Sequence, residues 1–125
     1  MRTPTVLLLL VLTAAASGCS LYNVTSEETS LNYYPPKDST QGIVYQEKVD
    51  KPHEVIGYVT VNSERRQKID EIIERMKRET AIMGGDVITN LQSDATGEWK
   101  RLPAQDIIGN AYVRANFRAT VVILK

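Results

Sequence analysis

The sequence predicts an α+β head domain, a two-layer sandwich of one long helix on a mixed sheet of about four strands, ordered β-β-α-β-β. Three observations predict it. Two β-rich runs, 43–49 and 53–62, precede a single stretch, 63–83, in which Ile69, Ile72, Ile73, Met76, Thr80 and Met83 recur at helical spacing. Gly84-Gly85 closes that stretch. Beyond it, the run 111–124 alternates apolar and polar residues along its whole length, as a half-buried strand does.

Ahead of the head stands a leader. Met1-Arg2 is a short basic start, Val6 to Leu12 is apolar, and small residues follow from Ala14 to Gly18. That is the layout of a secretory signal. The apolar run is shorter than the ~20 residues a lasting membrane helix needs. Two processing sites overlap. Ala14-Ala15-Ala16 is an A-x-A site that would release a chain beginning at Ser17. Ala16-Ser17-Gly18-Cys19 resembles the lipobox of bacterial lipoproteins, with cleavage between Gly18 and Cys19 and a lipid on Cys19. The match holds at Ser17, Gly18 and Cys19 and departs at Ala16, where leucine is commoner. Cys19 is the only cysteine, so no intramolecular disulfide can form, and acylation gives the thiol a use. The resemblance implies palmitate-type chains, and several chains at ~0.8 kcal/mol per buried methylene make a lasting anchor. Ser20, not aspartate, follows the cysteine. In a Gram-negative envelope that implies the outer membrane, with the head facing the periplasm.

Residues 19–42 read as the lipidated cysteine and a flexible tether. Polar residues dominate, no apolar period is sustained, and Pro35-Pro36 excludes a helix there. Such a coil would average about 25–30 Å and reach about 75 Å when extended. The head is then 43–125. Asp50-Lys51-Pro52 turns between its first two strands. In the second, Val55, Gly57, Val59 and Val61 share one face and Ile56, Tyr58 and Thr60 the other. Gly57 marks a close approach, expected to be the helix crossing. The helix starts at Ser63, carries Glu71–Arg75 and Glu74–Arg78 at i,i+4 spacing on its solvated face, and ends at Gly84-Gly85. A strand over 86–93 and a turn at 94–97 follow. In the last strand Val113, Ala115, Phe117, Ala119, Val121 and Ile123 face the helix, and Tyr112, Arg114, Asn116, Arg118 and Thr120 face water.

Composition narrows the function. Fifteen Lys and Arg balance fifteen Asp and Glu in 125 residues, so no basic surface calls for nucleic acid. No nucleophile motif, zinc-protease motif or phosphate-cradling glycine loop is present, so no catalytic residue is assigned and no enzyme is expected. Asp86, after two glycines, reads as an acceptor for backbone N–H groups. His53 is the sole histidine, and one imidazole cannot build a zinc or copper site, so neither metal nor cofactor is expected.

Val55-Ile56-Gly57, then a helix ending in Met83-Gly84-Gly85-Asp86-Val87-Ile88, resembles small bacterial envelope lipoproteins and YbjQ-type domains. The resemblance implies the β-β-α-β-β head over 43–125. It also implies kinship with the outer-membrane lipoprotein that senses envelope stress and signals to a histidine-kinase phosphorelay. That sensor's head is disulfide-bonded, whereas this head has no cysteine.

The expected function is therefore a membrane-anchored, non-enzymatic envelope lipoprotein. Its head would be an interaction module with an envelope-stress or cell-wall role. The alternative is a small-ligand or metal-binding YbjQ-like head that assembles as a homo-oligomer. Partners are membrane lipid through acylated Cys19 and an envelope protein or the cell wall. Two candidate surfaces stand out. Trp99, beside Lys100 and Arg101, is either an exposed aromatic anchor or a cover for a sheet edge. Arg114 and Arg118, with Tyr112, would lie on the open face of the sheet, as a receptor for acidic groups or as solubilising charge.

Overall fold

A computed structural model describes residues 22–63 and 66–125. The leader, Gly18 and Cys19 lie outside the described residues. The elements are β1 (Tyr22–Glu28), β2 (Val44–Tyr45), β3 (His53–Ser63), β4 (Gln67–Lys68), α1 (Ile69–Met83), β5 (Val87–Ser93), β6 (Lys100–Arg101), α2 (Ala104–Ile108), β7 (Tyr112–Val113) and β8 (Asn116–Leu124). The class is α+β, with α1 on a mixed sheet. The sheet has six strands in place of four, ordered β1-β3-β8-β5-β2 with β6 also on β5, and β4 and β7 form a separate ribbon. Only β2 runs parallel to its neighbour, β5. β8 lies antiparallel between β3 and β5, which makes those two parallel, as a helix between them requires.

Four expectations are corrected. The coil assigned to the tether gives way over Tyr22–Glu28, which pairs with β3 through seven residues. β1 is an edge strand whose Asn23, Thr25 and Glu27 stand opposite Asn62, Thr60 and Tyr58, while Val24 packs on the core. An edge strand with one wet face needs little apolar alternation. Residues 43–49 do not form a hairpin with β3. Only Val44–Tyr45 is strand, and it sits across the sheet beside β5. The helix has 15 residues and starts at Ile69. Gln67 and Lys68 are drawn into the ribbon with Val113 and Tyr112, and the helix's first amides are met from outside: Ile69 N–H donates to the Ala111 carbonyl (3.2 Å) and Asp70 N–H to Asn110 Oδ1 (2.9 Å). The run 111–124 splits at Arg114-Ala115 into β7 and β8.

The core forms where the expected stripe of α1 meets the sheet. Ile69, Ile72 and Met76 are fully buried against Val59, Val61, Leu91, Phe117 and Val121. A bulge in β3 changes which residues join it. The register slips between Val55 and Gly57, so Ile56 turns inward while Val55 is 40% exposed. A Cβ on Gly57 would stand 2.3 Å from the Glu27 carbonyl oxygen and 2.8 Å from Met83 Sδ. The helix end does cross there, and β1 presses from the other side.

Gly84 (φ +82°) ends α1 in the left-handed region, with its N–H on the Ala81 carbonyl and that of Gly85 on the Thr80 carbonyl. The segment 29–42 then straps the structure on this side. Lys37 donates its backbone N–H to the Ala81 carbonyl (2.8 Å) and its ammonium to the Gly85 carbonyl (2.7 Å) and to Asp86. A cation at a helix C-terminus is favourably placed. On the outer face of α1, Glu74 pairs with Lys77 (2.7 Å).

Candidate functional site

The side of the sheet away from α1 is hydroxyl- and amide-rich. Period-2 alternation sends Tyr58, Thr60 and Asn62 of β3 there, beside Asn116, Arg118 and Thr120 of β8. Thr25 of β1 extends the row on one side and Gln92 of β5 on the other, opposite Thr60 and Arg118. A second bulge shapes the β5 side. The register slips between Thr89 and Gln92, with Asn90 at φ +55°, so Leu91 is buried while Asn90 and Gln92 border the recess. The displaced Leu91 N–H finds the Tyr45 hydroxyl at 3.1 Å.

Arg118 stands at the centre. Its guanidinium carbon lies 4.6 Å from the centroid of the Tyr58 ring, a cation–π contact worth about 0.5–1 kcal/mol at an exposed site. A hollow opens on each side of the Arg118–Tyr58 pair. One, of about 320 Å³, is bordered by Asn90, Gln92 and Thr120; the other, of about 220 Å³, by Thr25, Glu27 and Thr60. Strand backbone holds every one of these side chains in place, which favours a fixed recognition geometry. Planar N–H donors beside an aromatic face suit carboxylate, amide or hydroxyl groups. A larger groove of about 410 Å³ runs along α1 between Thr40 and the side chains of Asp70, Glu71, Glu74, Arg75 and Arg78. Its charges extend from one helix face and match the solvated face expected there.

Of the residues singled out in the sequence, only Arg118 lies at this recess. Arg118 is on the uncovered face, as expected. Tyr112 is not: it lies in the β4–β7 ribbon, 57% exposed, with the Lys68 ammonium 5.6 Å from its ring centroid. Arg114 is exposed in the joint between β7 and β8. Trp99 is 45% exposed and precedes β6, so it is an accessible aromatic at a sheet edge. Lys100 is exposed. Arg101 is turned to structure, holding Glu47 at 3.0 Å and tying β6 to the chain beyond β2. The partners of Arg118 that sequence reading passed over are Tyr58, Thr60 and Gln92. The signal for the first two was present, as polar residues alternating with the valines of β3.

Two other polar clusters are structural. Glu54 accepts hydrogen bonds from Ser30, from the Tyr34 hydroxyl (2.6 Å) and from Asn32 (3.4 Å), with Lys125 at 3.6 Å. The Ser30 and Tyr34 hydroxyls, helped by Asn32 and Lys125, outweigh desolvation and bring its carboxyl down to about 2. The same bond holds the Tyr34 hydroxyl above its ordinary value. At Asp86, burial pushes the carboxyl up, but Lys37 and the Leu124 N–H (2.8 Å) together win and keep it below its ordinary value. Asp86 is thus the backbone acceptor the sequence implied. His53 Nδ1–H donates to the Lys51 carbonyl at 2.7 Å. Among the described residues, no group of three or more His, Cys, Asp and Glu side chains is placed to hold a metal ion, and no helix is long and apolar enough to cross a membrane.

Neither a family model nor a curated protein matches the sequence. Among solved structures, the fold is similar to that of a Francisella virulence factor, FvfA, with a TM-score of 0.52 over 82% of this chain and 97% of that one. Identity between the two is 11%, so the likeness speaks to the fold.

Proposed function

We propose that this chain is an envelope lipoprotein, anchored through Cys19, whose head is a non-enzymatic binding module. The observation that carries the binding role is the Arg118–Tyr58 pair on the sheet face opposite α1, with a hollow on either side. Its neighbours are threonines, asparagine, glutamine and Glu27, which recognise by hydrogen bonding. The partner it suits is a polar polymer rich in carboxylate, amide or hydroxyl groups, such as an envelope protein's exposed loop or the cell wall. The lipobox-like run ending at Cys19 supports the anchor, and the outer membrane facing the periplasm is the location it implies.

In-cell photocrosslinking tests the binding role. A crosslinker at Thr60, on the uncovered face, should give a discrete adduct that Arg118→Ala abolishes. A crosslinker at Glu71, on the outer face of α1, should give none. An adduct from Glu71 alone, or one from Thr60 that is indifferent to Arg118→Ala, would move the binding surface elsewhere.

A further inference from the structure

The strand found at 22–28 changes what the anchor does to the head. Only Ser20 and Leu21 separate Cys19 from Tyr22, so the anchor is within about 10 Å of the start of β1 even when that link is fully extended. This inference rests on the acylation of Cys19 proposed above. The β1 start defines one end of the molecule. Tyr22 pairs with Ser63, Asn62 with Asn116, Phe117 with Ser93, and Ser93 with Lys100. β3 and β5 therefore finish, and β6 and β8 begin, at the end where the anchor attaches. The β4–β7 ribbon joins the same end, four residues beyond Ser63 and three before Asn116.

Two large aromatic side chains are exposed there, Trp99 (45%) before β6 and Tyr112 (57%) in the ribbon, and Ile108 (85%) stands two residues before the Asn110 that meets the start of α1. Trp99 adjoins β6, which lies four strand spacings from β1, or about 19 Å. The start of β1 and Trp99 thus lie toward opposite corners of one end of the sheet. Arg66, Lys68, Lys100 and Arg114 belong to this end too, offset by Asp70, Asp94, Glu98 and Asp106. With the charges in balance, attraction to anionic headgroups is not the main force. Tryptophan and tyrosine rings with an apolar neighbour suit the headgroup layer itself, where amphipathic rings settle.

We propose that this end of the head docks on the lipid surface that holds Cys19, with Trp99, Tyr112 and Ile108 seated in the interface. The head then lies against the membrane in a fixed orientation, and the uncovered sheet face stands upright beside it. The exposed Leu31, Tyr33 and Ile82 are excluded from this contact. Leu31 and Tyr33 follow the far end of β1, and Ile82 is at the end of α1 that crosses Gly57, roughly 20 Å up the strand.

Trp99 is the only tryptophan, so its emission reports the contact directly. The full-length lipidated protein, extracted from membranes and reconstituted in phosphatidylcholine vesicles, should lose most of its emission when the lipid is replaced by a brominated phosphatidylcholine. The loss should persist at high salt, and Tyr112→Ser with Ile108→Ser should relieve it while far-UV circular dichroism stays unchanged. Intact emission in brominated vesicles, with acylated Cys19 verified by mass, would overturn the docking, leave the anchor standing and turn these side chains toward a protein partner. Quenching indifferent to the two substitutions in a folded protein would also overturn it. A Cys19 without acyl mass would remove the anchor, and the docking with it.

Discussion

Phe117 and Arg118 are neighbours in β8, yet one is fully buried beneath α1 and the other lies over Tyr58 on the uncovered side. The same contrast repeats along β3, where Val59 and Val61 are sealed in the core while Tyr58 and Thr60, alternating with them, stand at the recess. The two faces share one backbone but answer to different demands. On the covered face, position matters through volume: the fit of α1, Gly57 and Gly85 leaves no room for an added methyl group. On the uncovered face, it matters through chemistry, because hydroxyl, amide and guanidinium groups border the two hollows. Changes on the first face should therefore register as stability and changes on the second as binding.

The largest break comes from Phe117→Ala. Emptying that fully buried site should cost about 3–5 kcal/mol in urea unfolding, a large share of the roughly 5–15 kcal/mol a domain this size holds. A loss below about 1 kcal/mol would mean that the core is not centred on β8. Gly85→Ala tests the opposite fault on the same face. Its Cβ would stand 2.4 Å from Val121 Cγ1, and the overpacking should cost about 1–3 kcal/mol by thermal unfolding.

Arg118→Ala is the counterpart on the uncovered face. It should shift stability by less than about 1 kcal/mol, the scale of the lost cation–π contact, while abolishing the crosslink from Thr60. Unfolding on the scale of Phe117→Ala would make Arg118 a structural residue and dissolve the contrast between the faces.

The smallest effect lies in the strap. Glu54 sits at about 2 in the fold against an ordinary 4.5, so its bonds to Ser30 and Tyr34 stabilise fully above pH 4.5 and are lost as pH falls toward 2. Glu54→Gln should flatten the acid side of the stability profile and loosen 29–37, read by amide exchange. An unchanged acid profile would show that the strap is held by its backbone contacts alone.

What was legible in the sequence follows the same division. The helix stripe from Ile69 to Met83, the cap at Gly84-Gly85 and the inward row of Phe117, Ala119 and Val121 are volume signals repeated at a fixed period, and they could be read directly. β1 could not, because an edge strand with one wet face looks like polar coil. The bulges at Ile56 and Asn90 were equally hidden. Each shifts a register by local backbone geometry that no apolar pattern records, and each changes which side chains reach a face. Arg118 is legible because it sits mid-strand in a clear alternation. Tyr112 is not, because that alternation continues through the joint at Arg114-Ala115, where the chain leaves the ribbon and enters the sheet.

The anchor is tested most directly by the mass of the N-terminal peptide of the protein purified from cells. A peptide beginning at Cys19, carrying a diacylglyceryl group and found in the membrane fraction, is the expected result. An unmodified peptide beginning at Ser17, in the soluble fraction, would contradict it and favour release at Ala14-Ala15-Ala16.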